Sequence, residues 1–458
     1  MWKSVEVNEK GTDVVYKKEI MMNIGKRWVI AGLLLVSLPG WTQEKPAIWD
    51  LKSCIEYARS QNIQIRKSRI ALEESVENTK QAKAQRLPSL SFSSDHNYVN
   101  RPRPETGDKN IYSGSYGLSS SVSLYEGGKL KKSVQQMGLQ NEVQSLTIQE
   151  SENNIELAIM QAYIQILYAV ETIKINENTV EVSKIQRDRG IELQKAGSIS
   201  KADLAQLESQ YTTDKYQLVV AQTTLANARL DLKQLLELGI NDEMELSVPE
   251  LAEDRVLTVL PTKQSIYTTS LGVMPGIQYN QLNIKIAGIE KDKAWAGYLP
   301  SLNLSAGLGT SHASGSDFGF GSQIRNNWSE NIGLTLSVPI FSKRSTKTAV
   351  NLAKLNIENA ELNYESVQKD LLKSIENVYQ DAVSAQDHFR SARENLNAVK
   401  LSFELTQEQF NLGMKNTLEM LTEKNNYMSA QLEVAQSKYT AVLNVQLLNF
   451  YQGKEVSL

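Results

Sequence analysis

The sequence predicts an internally duplicated membrane protein of mixed α/β class, in which long coiled-coil helices are joined to four strands that contribute to a transmembrane β-barrel shared between subunits. Three observations carry this. First, residues 112–132 read as a two-faced strand running into a very long helix. Tyr116, Leu118, Val122 and Leu124 alternate with Ser115, Gly117, Ser119, Ser121 and Ser123, and Gly127 and Gly128 let the backbone turn before Lys129, Lys131 and Lys132. Second, the unit recurs about 216 residues later, where Ile332, Leu334, Leu336, Val338 and Ile340 alternate with Gly333, Thr335, Ser337 and Pro339 before Lys343, Arg344 and Lys347. Third, Lys26 and Arg27 precede a short apolar run, 28–38, closed by Pro39 and Gly40. That is the form of an export signal, too short for a stable membrane anchor.

The signal is expected to occupy residues 1–42 together with an upstream extension, with translation starting at Met21 or Met22 and cleavage near Thr42 to Glu44. The first repeat then spans 43–238. A short helix, 49–59, shows Leu51, Cys54, Ile55 and Ala58 at helical spacing with Asp50 as its cap. A second helix, 62–86, carries Ile63, Ile70, Leu72 and Val76, and Pro88 ends it. Leu90, Phe92, His96 and Tyr98 alternate with Ser91, Ser93, Asp95 and Asn97, so 89–125 forms a hairpin around an exposed loop at 100–111.

Nothing breaks the helical pattern from 129 to 196, a run about 100 Å long at 1.5 Å per residue. Leu139, Val143 and Leu146, and then Ile155, Ile159, Ala162, Ile166, Ala169 and Ile173, step along it by threes and fours, as lengthwise packing requires. Gly197 and Ser198 interrupt it, and 201–238 returns antiparallel. Residues 239–274 form a linker with a short helix or strand. The second repeat, 275–452, replays the first: a helix, a hairpin at 301–341 around a Gly, Ser and aromatic loop at 310–328, a long helix at 346–412, a break at Gly413, and a return helix at 417–452. A tail, 453–458, follows.

Four strands of about ten residues have the length and parity of outer-membrane strands, with Leu118, Val122, Leu124, Leu302, Leu304, Leu334, Leu336 and Val338 facing lipid. A barrel needs about eight strands or more, and an open edge cannot face lipid. One chain therefore cannot close the barrel, whereas a trimer would give twelve strands. The alternative is a soluble sandwich or stalk whose strands pack on their own core.

No chemistry-bearing constellation is visible. A net charge of -3 gives no basic field for nucleic acid, the single Cys54 rules out an internal disulfide, and His96, His312 and His388 are scattered. Gly127-Gly128-Lys129 lacks the upstream glycine of a phosphate loop. No catalytic residue, cofactor or metal is expected.

The chain resembles the TolC-like outer-membrane efflux proteins over essentially all of its mature length. The resemblance rests on the early helix Leu51-Lys52-Ser53-Cys54-Ile55-Glu56-Tyr57-Ala58, the Leu-Pro-Ser-Leu strand entries at Leu87 and Leu299, the exits at 124–128 and 338–341, and the tip glycines Gly197 and Gly413. It implies a homotrimer with a twelve-stranded barrel in the outer membrane and a twelve-helix periplasmic tunnel, or α-barrel, docking a periplasmic adaptor linked to an inner-membrane pump. The function it implies is passive export of small toxic solutes through an efflux or type I secretion system; the competing function is a periplasm-spanning scaffold without a conducting lumen. Asp203 and Glu419 each lie six residues after a tip glycine. They either form an acidic gate, as in similar family members, or cap the return helices; Gln206 and Thr422 depart from a double acidic ring. Leu193, Gly197, Ser198, Gly413 and Met414 are the candidate adaptor-facing positions.

Overall fold

The computed structural model describes residues 48–456, except 104, 106, 107 and 250. The expected signal segment lies outside the described residues. In chain order the elements are α1 (Leu51–Gln61), α2 (Ile63–Ala84), β1 (Ser89–Asn100), β2 (Asn110–Glu126), α3 (Lys129–Lys195), α4 (Lys201–Leu235), α5 (Glu253–Val256), α6 (Lys263–Val273), α7 (Pro275–Trp295), β3 (Ser301–Ala313), α8 (Phe320–Asn326), β4 (Ser329–Ser337), α9 (Ser345–Asn411) and α10 (Thr417–Tyr451).

The two long helices, α3 and α9, have 67 residues each. Buried residues recur at multiples of seven on α9 (Ile375, Ala382, Phe389, then Phe403 and Phe410) and on α4, the return helix of the first repeat (Leu207, Asp214, Ala221 and Ala228). A strict seven-residue repeat keeps one seam facing its neighbour only if the helices wind around each other with a left-handed supercoil. The helices lie side by side in one layer. Near the strands α2 flanks α3, α3 flanks α7 and α7 flanks α9; farther on, α4 and α10 take over as antiparallel partners of α3 and α9. The main core, at mid-length, joins Trp49, Cys54, Tyr163, Leu232, Phe389 and Val442. Cys54 is fully buried there, and burial pushes its thiol up to about 12. Segments of the expected linker strap this core, since the Trp49 amide donates to Glu245 O at 2.8 Å and Tyr163 Oη to Ser247 O at 2.6 Å, while α6 packs on α9 and α10 in a smaller core of Ile266, Ile375, Ala382 and Leu448.

The strands form one antiparallel sheet in the order β1-β2-β3-β4, so the two hairpins are joined through β2 and β3. Phe92, Leu118 and Leu308 lie side by side, as do Val122, Leu304 and Leu334, giving one continuous apolar face. Ser91, Ser119, Gly307 and Asn331 line the other. Among the described residues only the short α8 leans on the sheet. Leu90, Phe92, Ile332, Leu334 and Leu336 are accordingly exposed.

Four expectations are corrected. Val338 lies beyond β4 and outside the ladder, because Pro339 next to it has no N–H to donate. Leu124 is skipped by a register shift between Ser123 and Tyr125, a bulge where the strand bends into the turn. The loop expected at 310–328 begins later, since β3 runs to Ala313, and it contains α8, held by Gln323 hydrogen bonds to both backbone groups of Ala313. His96 and His312 are not scattered: the register sets both opposite Gly114, with ring centroids 6.4 Å apart among Tyr112 and Tyr116. A Cβ at Gly114 would sit 2.3 Å from the His312 ring, so glycine makes the space for this aromatic belt.

Gly127, at φ 62°, closes the first strand-to-helix corner, and a Cβ there would lie 2.9 Å from both Ala296 O and Leu299 Cβ. Gly128 also has positive φ but open space around it. Gly127→Ala is therefore expected to destabilise the assembled protein by about 2 kcal/mol or more and Gly128→Ala by about 1 kcal/mol, measured as loss of resistance to thermal unfolding; equal effects would show that the close contact is unimportant.

Candidate functional site

The candidate site is the end of the helical layer farthest from the strands, where α3 turns into α4 and α9 into α10. Both turns are built alike. Gly197 (φ 74°) and Gly413 (φ 75°) take left-handed backbone. The amides after them then donate back into the helix just ended, Ser198 N to Leu193 O and Met414 N to Gln409 O, both at 2.8 Å.

The return helices start in capping boxes. The Ser200 hydroxyl accepts from the Asp203 amide at 3.1 Å while the Ser200 amide donates to Asp203 Oδ2 at 3.0 Å. Asn416 and Glu419 repeat the arrangement at 2.9 and 3.1 Å. Asp203 and Glu419 thus both act as helix caps. Hydrogen bonds from Ser200 hold the Asp203 carboxyl below its ordinary range, and Lys415 followed by the Asn416 amide does the same for Glu419. Because both values are lowered, the caps hold fully above the ordinary carboxylate range and loosen as the pH falls through the lowered values. The two carboxylates differ in one respect. Lys415 donates to Glu419 Oε1 at 2.6 Å, whereas Asp203 has no ion pair among the described residues.

Of the adaptor-facing candidates, Gly197, Ser198, Gly413 and Met414 are exposed, Met414 at 71%. Leu193 is placed differently: it is half-buried against a small core of Leu207, Phe410, Met420 and Leu421, because its helix face points at α4. The exposed apolar side chains flanking Met414 are Leu412 and Leu418, which the sequence pattern did not single out.

Sequence reasoning also missed the polar cluster above this small core. Lys424 and Asp214 are buried to 3% side-chain exposure and form an ion pair, and the Lys424 ammonium also reaches Ser183 Oγ. Gln210 Nε2 donates to the second Asp214 oxygen at 2.9 Å. The cluster fastens α10 of one hairpin to α3 and α4 of the other. Burial pushes the lysine down and Asp214 pulls it back up, leaving it below its ordinary value. Its sequence signal was an aspartate standing in the Leu207, Ala221, Ala228 heptad, a position normally apolar.

The layer and the tips match a known group. The family described as "Outer membrane efflux protein" matches this chain twice, over residues 54–237 and 271–454, once for each repeat. The chain belongs to that family. It is an outer-membrane exit duct with its helical part in the periplasm, a transport protein and not an enzyme. It is 22% identical to "Outer membrane protein TolC" of Salmonella enteritidis over 424 residues, covering 92% of this chain and 85% of that one. The fold is shared with the solved structure of CusC (TM-score 0.76, 18% identity, 90% and 96% of the two chains) and with VceC of Vibrio cholerae (TM-score 0.72, 16% identity, 89% and 97%).

Removing Lys424 leaves Asp214 buried without its counter-charge. Lys424→Ala is expected to cost about 3–5 kcal/mol in a denaturant titration, while Lys424→Met combined with Asp214→Leu restores most of it; a loss below about 1 kcal/mol in the single variant would contradict the burial of the pair.

Proposed function

We propose that three copies of this chain assemble into a twelve-stranded barrel continuous with a twelve-helix tunnel, passing small toxic solutes outward while a periplasmic adaptor and an inner-membrane pump supply recognition and energy. The observation that carries this is the sheet: one uncovered apolar face, one serine-glycine face, and unpaired outer edges on β1 and β4. Lipid takes the apolar face, water and cargo meet the small polar residues, and sister chains satisfy the edges. The adaptor is proposed to meet the tips at Gly197, Ser198, Gly413 and Met414, with Leu412 and Leu418 adding apolar surface.

The acidic gate is proposed to rest on Asp203 more than on Glu419. Repeated by symmetry, Asp203 presents uncompensated negative charge, while Lys415 neutralises much of the charge of Glu419. Purified protein in planar bilayers is expected to conduct, with divalent-cation block weakened several-fold by Asp203→Asn and little by Glu419→Gln. No conductance from correctly inserted protein would favour the scaffold function, and unchanged block in Asp203→Asn would remove that residue from the gate.

A further inference from the structure

At the opposite end, where strands meet helices, α3, α7 and α9 enclose a groove of about 820 Å³. Its walls carry Lys131, Lys132, Lys291, Lys347 and Lys354, with Trp295 and Tyr298 at 53% and 45% exposure. Asp292 is the one carboxylate lining it and is taken by Lys132 at 2.8 Å. Lys131, Lys291, Lys347 and Lys354 make no ion pair among the described residues. Four positive charges therefore converge on one concave surface with nothing to balance them.

A second groove fixes which side of the layer this is. Lys129, Lys293, Gly297, Thr346 and Ala349 of the same junction line it together with Ser301, Asn303 and Ser337. Those last three belong to the serine-glycine face of the sheet, so the second groove opens toward the lumen. The lysine groove uses the other faces of the same helices: Lys347, Val350, Asn351 and Lys354 follow helical steps of three and four, offset from Thr346 and Ala349. It thus lies on the side continuous with the apolar face of the sheet, directly beneath it. α7, at its centre, is flanked by α3 and α9 of its own chain, so the groove is complete within one subunit.

We propose that this groove is a binding site for the headgroup of an anionic phospholipid in the periplasmic leaflet of the outer membrane. The lysines supply charge and hydrogen bonds to the phosphate, the two aromatic rings sit at headgroup depth, and the acyl chains run up the Leu302, Leu304 and Leu336 surface. The site rests on the membrane orientation proposed above and adds to it a lipid preference, and with it a fixed height for the duct in the bilayer.

The test is native mass spectrometry of the delipidated oligomer exposed to phosphatidylglycerol or phosphatidylcholine in detergent. Phosphatidylglycerol is expected to be retained about tenfold better. Replacing Lys131, Lys291, Lys347 and Lys354 together by Gln is expected to reduce retention to the phosphatidylcholine level, while the matching four Arg substitutions preserve it. Equal retention of the two lipids, an unaffected Gln variant, or displacement by millimolar inorganic phosphate would overturn the lipid site. A wild-type protein that inserts and conducts yet shows no lipid preference overturns this inference alone; one that never enters lipid vesicles overturns the orientation as well.

Discussion

The constraint behind this structure is that a backbone amide facing hydrocarbon has no water to bond to. β1 and β4 each leave one edge of the ladder open, and every unmet group on such an edge within a bilayer costs several kcal/mol. A four-stranded sheet with an uncovered apolar face is stable neither in water, where the face would aggregate, nor alone in lipid, where the edges would be orphaned. Lipid covers the face, and pairing β4 of one chain with β1 of the next satisfies the edges, so oligomerisation here is a condition of inserting at all.

The helical half obeys a related logic in water. A single layer of helices has two exposed sides, so its stability comes from the seams between neighbours. Those seams use small residues at heptad spacing, Ala221 and Ala228 on α4 and Ala385 and Ala392 on α9, which bring backbones close and keep the wall thin. The buried Lys424–Asp214 pair is the exception. An ion pair in such a seam adds little net stability over apolar packing, but it penalises any other register or separation of the two hairpins, because parting them strands two charges.

Much of the architecture was legible in the residues because membrane strands and coiled-coil helices both write themselves as strict periods. Alternation from Tyr116 to Val122 and from Ile332 to Leu336 marked the lipid face, and the recurrence of the whole unit exposed the duplication. What period could not show was anything set by register between distant strands or by one polar residue in a core. His96 and His312 are far apart in sequence and meet only through the β1-β2-β3 pairing. Val338 continued the alternation on paper, but Pro339 ended the ladder before it. At the tips, the spacing of Asp203 and Glu419 located both carboxylates, while their difference depended on Lys415, whose partner is decided by the capping geometry.

The central claim is that neighbouring chains complete the sheet. With Cys54 replaced by Ala, single cysteines introduced in register on the outer edges of β1 and β4 should cross-link between chains in outer membranes and yield a covalent species of three times the subunit mass. A protein that gives only intrachain products, and that stays monomeric in water without detergent, would contradict it.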